Sequence, residues 1–186
     1  MAKETLKDDP KLVERLRNSK TCREAFGEVI ALYSEPLYWQ IRRMVASHDD
    51  ANDLLQNTFL KAWSSIEGFR GDAKLSTWLY KIAINESITF LARERKRLNI
   101  SIDDEESHIV NTIEADQYVD GDAIALKLRK AIASLPEKQR LVFNMRYYDE
   151  MRYEEMSEIL GTSVGALKAS YHIATKKIEQ YFIDND

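Results

Sequence analysis

The chain has 186 residues, of which 44% are hydrophobic, 31% are charged and only one is a cysteine, and its formal net charge is −4. This composition predicts one sizeable globular domain or two small ones, and it excludes a disordered chain and a disulfide-stapled secreted domain. No segment approaches the roughly 18 apolar residues of a membrane-spanning helix, and residues 1–5 lack the apolar core of a signal peptide, so we expect a cytoplasmic protein.

Charge is distributed unevenly along the chain, and helix-forming residues dominate the whole of it. Residues 61–100 hold eight basic and four acidic side chains, whereas residues 101–122 hold eight acidic side chains and no basic one. Helix formers dominate, with only six glycines and three prolines, and no alternating apolar run with a hairpin turn occurs. We therefore expect an all-α chain with two small helical domains, 10–97 and 122–183, joined by an acidic flexible linker at 98–121.

The first predicted domain is a helical bundle. Pro10 is expected to open a short helix, and Thr21 a second one. Pro36 is expected to kink or split this second helix. The pair at 49–50, both aspartates, gives the third helix an acidic start. Apolar residues of the second helix recur at steps of three and four and are expected to face the core: Phe26, Val29, Ile30 and Tyr33.

A glycine turn at 68–71 leads into a fourth, long helix. Phe69 and Trp78 supply aromatic rings, Asn85 supplies an amide, and the helix ends in the basic run 93–97. Rings interleaved with cations suit unpaired nucleic acid, because every base has a stackable face and every nucleotide brings a phosphate. The same features also fit rings packed in a core and a solvated helix end favoured by the helix dipole.

The second predicted domain ends in a helix-turn-helix. It begins with a helix at 123–133, and Pro136 stands in the first turn of the next helix. From Tyr153 the chain gives a short helix, a turn at Gly161, a hydroxyl cap and a final helix. The side of the final helix predicted to pack inward carries Val164, Leu167, Tyr171, Ala174 and Ile178. The opposite face, which a major groove would meet, carries Gly165, Ala169, His172, Ile173 and Lys176, flanked by Lys168 and Thr175.

With both domains in view, the chain resembles the bacterial RNA polymerase sigma factors of the sigma-70 family, specifically the two-domain extracytoplasmic-function (ECF) group. Residues 49–63 resemble the family's polymerase-clamp-binding helix, 69–85 its promoter-melting and minus-ten-reading segment, and 135–177 its minus-thirty-five-reading domain. The resemblance implies a factor that binds core RNA polymerase, directs it to specific promoters and helps open the DNA. It also implies an anti-sigma factor as a further partner.

The resemblance implies three sets of contact residues. Those for the polymerase, at the clamp of its largest subunit, are Asp53, Gln56 and Asn57, and the polymerase flap is a second expected contact. Those for minus-ten DNA are Phe69, Trp78, Lys81, Asn85, Arg93, Arg95, Lys96 and Arg97. Those for minus-thirty-five DNA are Lys168, His172, Thr175 and Lys176. Relatives commonly carry arginines where this chain has Ser170 and Ile173, so we expect shallower direct reading of bases there, with more weight on phosphate contacts and DNA shape.

The acidic linker admits two interpretations. As a solvated spacer it needs only length and flexibility. Alternatively, since the linkers of this family thread polymerase channels that carry nucleic acid, its carboxylates could occupy a basic channel as a phosphate mimic.

No catalytic or metal site is predicted. The histidines at 48, 108 and 172 are scattered, each without a cysteine or a second histidine nearby. No phosphate-binding loop or nucleophile elbow occurs in a convincing context. We therefore expect no enzymatic activity, no metal and no cofactor.

Two other functions fit parts of the sequence. A conventional helix-turn-helix regulator would use residues 134–182 on DNA and form a two-fold dimer without polymerase. A helical adaptor that binds polymerase or another protein, and never touches DNA, would tolerate neutralisation of the basic run at 93–97.

Overall fold

The computed structural model describes residues 10–45, 47–98 and 123–185, and for Leu98 only the backbone. Within these ranges the chain forms α-helices and one short 3-10 turn but no strand, which confirms the all-α expectation. The elements are α1 Pro10–Arg17, α2 Cys22–Val45, α3 His48–Ser64, the 3-10 turn Ile66–Gly68, α4 Leu75–Leu98, α5 Ala123–Ala133, α6 Glu137–Tyr147, α7 Tyr153–Leu160 and α8 Val164–Asp184. Residues 99–122, which hold nearly all of the predicted linker, lie outside the described ranges.

Helices α1 to α4 form a bundle in which α2 is central. Val29, Leu37 and Ile41 of α2 are completely buried. Of the two expectations for Pro36, the split is wrong, because α2 runs unbroken from Cys22 to Val45, and the kink stays a prediction. A proline inside a helix costs about 3 kcal/mol, and burying one leucine or isoleucine returns about 1.5–3 kcal/mol, so Leu37 and Ile41 together offset the loss.

Local signals set the ends of the helices in this bundle. Ser47 caps α3, since its Oγ accepts a hydrogen bond from the Asp50 backbone N–H at 3.3 Å. Gly71 has a φ of +78°, in the left-handed region that glycine tolerates, and it lies in the turn that leads into α4. Leu79 and Ala83 of α4 then face the core and are completely buried. These constraints turn the opposite side of α4 towards solvent.

The helix-turn-helix forms as predicted. Gly161 ends α7 with a φ of +62°, and its N–H donates to the Ser157 carbonyl at 2.9 Å. Ser163 caps α8, since its Oγ accepts from the Ala166 N–H at 3.3 Å. The predicted inward side is confirmed, with three of its residues buried and two half-buried: Leu167, Ala174, Ile178, Val164 and Tyr171.

The two halves of the chain pack against each other. Residues of α6 and α7, among them Met145 and Met156, share one hydrophobic cluster with α1 to α4. The Arg43 guanidinium also lies 4.6 Å from the centre of the Tyr148 ring. Among the residues described, three ion pairs join the halves: Arg43 Nη2 to Asp149 Oδ1 at 3.1 Å, Lys74 Nζ to Glu155 Oε1 at 2.6 Å and Arg95 Nη2 to Glu137 Oε2 at 3.2 Å. The exact domain boundaries stay a prediction.

Candidate nucleic-acid interface

Helix α3 presents a polar face to solvent. Asp53, Gln56 and Asn57 are exposed, whereas Leu54 and Thr58 on the other side are buried. The Thr58 hydroxyl donates to the Leu54 carbonyl at 2.7 Å, which satisfies a polar group inside the core. The three candidate polymerase-binding residues therefore lie together on successive turns where one partner could reach them all. Their role stays a prediction.

An exposed apolar patch lies beside this polar face. Ile30, Leu60 and Trp63 are 40%, 60% and 42% exposed, and Phe26 lines the groove next to them. The expectation that Ile30 faces the core is wrong. Val29 and Ile30 are neighbours about 100° apart on the helix, and the fully buried Val29 occupies the inward direction. Periodicity alone did not reveal which member of this pair would be inside.

Helix α4 presents a polar and cationic face along most of its length. At about 100° per residue, six side chains fall within an arc of about 120° and span about 27 Å of the helix. We call them the α4 face: Trp78, Lys81, Asn85, Thr89, Arg93 and Lys96. Trp78 is half-buried and the other five are exposed. The fold therefore places a ring, an amide and three cations in one accessible row.

The Phe69 and Trp78 rings meet at the N-terminal end of the α4 face. Their centroids are 4.9 Å apart and their planes are inclined by 33°. Phe69 is only 6% exposed, so a base could reach its ring only after the adjoining turn moves. Asn85, two turns further along, is already exposed. The base-contacting roles of Phe69, Trp78 and Asn85 stay predictions.

The cations at the C-terminal end of α4 have different surroundings. Arg93 and Lys96 are exposed on the α4 face. Arg95 lies on the flank of the helix and is half-buried, and its guanidinium pairs with Glu137 of α6. Arg97 pairs with Glu94 through Nη2 and Oε2 at 2.6 Å, and this hydrogen bond raises the pKa of Arg97. Of the basic run, Arg93 and Lys96 are therefore the side chains that continue the row begun by Lys81 and Asn85.

The outward face of α8 is exposed as predicted. We define this face by its five residues, Gly165, Ala169, His172, Ile173 and Lys176. On the flanks, the Lys168 ammonium lies 5.7 Å from the centre of the Tyr153 ring in α7. The Thr175 hydroxyl on the other flank donates to the Tyr171 carbonyl at 2.9 Å. The polar side chains that point outward from the middle of this face are thus His172 and Lys176.

In the part of the chain that the structure describes, no group of three or more histidine, cysteine, aspartate or glutamate side chains could hold a metal ion. None of the helices described there is long and apolar enough to cross a bilayer.

Comparison with known proteins assigns both halves of the chain. The family model for Sigma-70 region 2 matches residues 29–97, and the model for Sigma-70, region 4 matches residues 125–178. The ECF RNA polymerase sigma-E factor of Escherichia coli (strain K12) is 30% identical over 186 residues, covering 92% of each chain. The chain belongs to the ECF group of the sigma-70 family. It is a sigma factor, and it directs RNA polymerase to promoters.

Another curated relative and two solved structures also resemble this sigma factor. The ECF RNA polymerase sigma factor SigW of Bacillus subtilis (strain 168) is 29% identical over 169 residues, covering 87% of this chain and 90% of SigW. CnrH, solved in complex with the cytosolic domain of CnrY, shares the fold with a TM-score of 0.70 and 21% identity, covering 96% of this chain and 99% of CnrH. The sigma factor RpoE of Bartonella quintana, solved with the anti-sigma factor NepR, has a TM-score of 0.63 and 24% identity, covering 84% of this chain and 96% of RpoE. The α3 polar face and the α4 face lie in region 2, and the outward face of α8 lies in region 4.

Proposed function

We propose that this sigma factor acts through three surfaces: the polar face of α3 binds the polymerase clamp, the α4 face holds opened minus-ten DNA, and the outward face of α8 meets the minus-thirty-five duplex. The single observation that carries this proposal is the α4 face, where a ring, an amide and cations stand in one exposed row. Proteins that hold unpaired nucleotides combine stacking and positive charge in this way.

Each part of the α4 face has a separate task in this proposal. Trp78, with Phe69 beneath it, offers a platform for an unstacked base. The Asn85 amide can both donate to and accept from a base edge. Arg93 and Lys96 contact backbone phosphates, which positions the DNA without reading its sequence.

The energy of strand opening requires a partner. Opening about ten stacking steps costs on the order of 14 kcal/mol, at about 1.4 kcal/mol per step. Capturing a base on an aromatic side chain returns about 1–3 kcal/mol. Two or three captured bases cannot hold open such a bubble, so the polymerase must supply the remainder. Asp53, Gln56 and Asn57 provide an anionic and amide surface for the basic coiled coil of the clamp.

The remaining expectations follow from this division of tasks. We propose that the sigma factor has no catalytic activity of its own, since the polymerase performs the chemistry, and that it works in the cytoplasm where polymerase and promoter meet. An anti-sigma protein is its proposed antagonist. RpoE of Bartonella quintana, which shares the fold, was solved with a protein of that class.

Run-off transcription with purified core polymerase tests the proposal. Arg93→Ala combined with Lys96→Ala is expected to lower transcript yield at least tenfold, because two phosphate contacts are lost while the fold is untouched. Arg17→Ala combined with Lys20→Ala is the matched control, since it removes two exposed charges at the end of α1 and in the turn that follows, outside the α4 face. Equal yields from the two double variants, with equal binding to core polymerase, would remove the α4 face from the mechanism.

A further inference from the structure

The outward face of α8 carries an exposed apolar side chain. Ile173 is 46% exposed, and it lies between Ala169 and Lys176 on the face directed away from the buried Leu167 and Ala174. The other strongly exposed large apolar residue of α8 is Ile183, in the last turn. It lies about 15 Å further along the helix axis, at about 1.5 Å per residue. Ile173 therefore lies on the face that we expect to meet a major groove, whereas Ile183 lies almost three turns nearer the C-terminal end of the helix.

The residues around Ile173 allow close approach of the helix to the base edges. Gly165 and Ala169 precede it on the same face, and a Cβ built at Gly165 would meet no atom within 4 Å. Small side chains leave the helix backbone near the floor of a groove, which brings the tip of a mid-sized side chain into contact range. The exposed cation Lys176 is less than one turn from Ile173 and can hold a phosphate at the groove edge.

Few groups of the helix can read bases by hydrogen bonding: His172 and Lys176 point outward from the middle of its outward face. α8 contains no arginine, so the bidentate arginine contact to guanine is not available from it. The Lys168 ammonium lies over the Tyr153 ring and the Thr175 hydroxyl donates within its own helix. Ile173 is thus a large readable group on this face that has no capacity for hydrogen bonds. Its complement in the major groove is the C5-methyl group of thymine, the apolar feature that distinguishes a base pair there.

We propose that Ile173 reads a thymine of the minus-thirty-five element through its C5-methyl group. This inference rests on the proposed role of the α8 face in contacting that element. It makes region 4 of this sigma factor selective for a methyl group at one position, where an arginine would select a guanine. Removing either partner of the contact should weaken promoter binding about fourfold, the effect of one methyl-sized apolar group.

The test uses holoenzyme assembled from the full-length sigma factor and core polymerase, on a promoter selected from a random library. Each thymine of its minus-thirty-five element is replaced in turn by deoxyuridine, which lacks only the methyl group, and affinity is measured by competition. We expect one position at which deoxyuridine weakens binding by wild type about fourfold. Ile173→Ala should bind the unmodified promoter about fourfold less tightly and should lose no further affinity with deoxyuridine at that position.

A second modification tests the same contact by adding a methyl group to the DNA instead of removing one. When cytosine replaces the sensitive thymine, 5-methylcytosine should bind wild-type holoenzyme more tightly than cytosine, whereas Ile173→Ala should not distinguish the two. Ile183→Ala is the matched control, because it removes an exposed isoleucine of the same helix almost three turns from Ile173, and it should keep the full response to both modifications. Thermal unfolding of Ile173→Ala should match wild type, since the side chain is exposed.

The possible failures separate the inference from the function on which it rests. If scrambling the whole minus-thirty-five element leaves holoenzyme binding unchanged, the proposed role of the α8 face is wrong. If scrambling weakens binding, any of three results would overturn methyl reading by Ile173. The minus-thirty-five element could contain no thymine, or no thymine in it could be sensitive to replacement by deoxyuridine. The third is a loss of affinity with deoxyuridine that is as large in Ile173→Ala as in wild type. An Ile173→Ala defect that is equal on every DNA would assign the residue to a protein contact.

Discussion

Asn85 is an exposed hydrogen-bonding group in the middle of the α4 face. The residue is exposed, and its backbone carbonyl accepts a hydrogen bond from the Thr89 hydroxyl at 2.7 Å. An amide in this position can pair with an extruded base without any change in the fold. Phe69 differs, since it is buried in contact with Trp78.

Asn85→Ala is therefore expected to lower the fraction of open promoter complexes by about twofold to tenfold, the value of one net hydrogen bond. Fluorescence of a 2-aminopurine placed in the minus-ten element measures the opening. Thr89→Ala, one turn along the same face, is the control and should stay within twofold of wild type. Asn85 would be excluded as a base contact if both variants opened the promoter as wild type does.

Folding changes the pKa of the Tyr80 phenol. Burial raises the pKa of the Tyr80 phenol, and the nearby Asp149 carboxylate raises it further. Because the unfolded phenol ionises near pH 10 and the folded one only above that, the stability is intact below about pH 10 and declines as pH rises through this range.

Tyr80→Phe should reduce the decline of the unfolding free energy above about pH 10 by up to about 1.4 kcal/mol per pH unit. Urea unfolding at a series of alkaline pH values measures this slope. Tyr147→Phe is the control, because that ring is 51% exposed, and it should keep the wild-type slope. Identical slopes for the two variants would contradict the role given to burial.

At the scale of elements, two glycines flank the turn of the helix-turn-helix and differ in backbone conformation. Gly161 ends α7 with a left-handed φ of +62°, whereas Gly165 lies inside the first turn of α8 with open space around its missing Cβ. A side chain is strained in the first position and favourable in the second.

Gly161→Ala should lower the unfolding free energy by about 1–2 kcal/mol, the cost of a side chain in the left-handed region. Gly165→Ala should raise it by about 0.4–1 kcal/mol, because alanine restricts the unfolded chain. Chemical unfolding of both variants measures the two signs in one experiment. A loss of stability in Gly165→Ala would show that this position is not an ordinary helical one.

The elements also show how far the sequence predicts this fold. The bounds of α5 were predicted at 123–133, and the capped glycine turn before α8 was predicted in full, because both depend on interactions within a few residues. The sequence left open whether α2 would continue through Pro36, and the exposure of Ile30 was not predicted. Both depend on which neighbouring helix covers which side of α2, and periodicity within one helix does not carry that information.

The candidate site was predictable to a similar extent. Every predicted residue of the α4 face is accessible along one side, because a single helix fixes their relative positions. The burial of Phe69 was one of two arrangements that the sequence left open, and the pairing of Arg95 with Glu137 was not predicted. They arise from packing between a turn and a helix, and between the two halves of the chain.

At the scale of the whole molecule, region 4 packs on region 2 and covers part of the surface around α4. Arg95, a predicted phosphate contact, pairs instead with Glu137, and Lys74 before α4 pairs with Glu155 of α7. Arg95 Nη2 would have to release the Glu137 carboxylate before it could bond a phosphate in the same direction. We therefore expect the two halves to separate when Arg95 contacts DNA.

A cleavable crosslink between the halves tests this requirement. Lys74→Cys and Glu155→Cys, placed in a Cys22→Ser background and joined by a short disulfide-containing bismaleimide, should reduce promoter-dependent transcription at least tenfold, and reductant should restore it. The same reagent across Arg15→Cys and Glu28→Cys, an ion pair between α1 and α2 in the first half of the chain, is the control and should have little effect. Full transcription by the first crosslinked chain would show that the packed arrangement already suits the promoter.

The most direct test of the division of labour between sigma factor and polymerase is permanganate reactivity of thymines in a promoter. Three mixtures are compared: sigma factor alone, core polymerase alone, and both together. Because captured bases cannot offset the cost of the bubble, we predict reactive minus-ten thymines in the third mixture only. Reactive thymines with the sigma factor alone, or none with both proteins bound to the promoter, would contradict this mechanism.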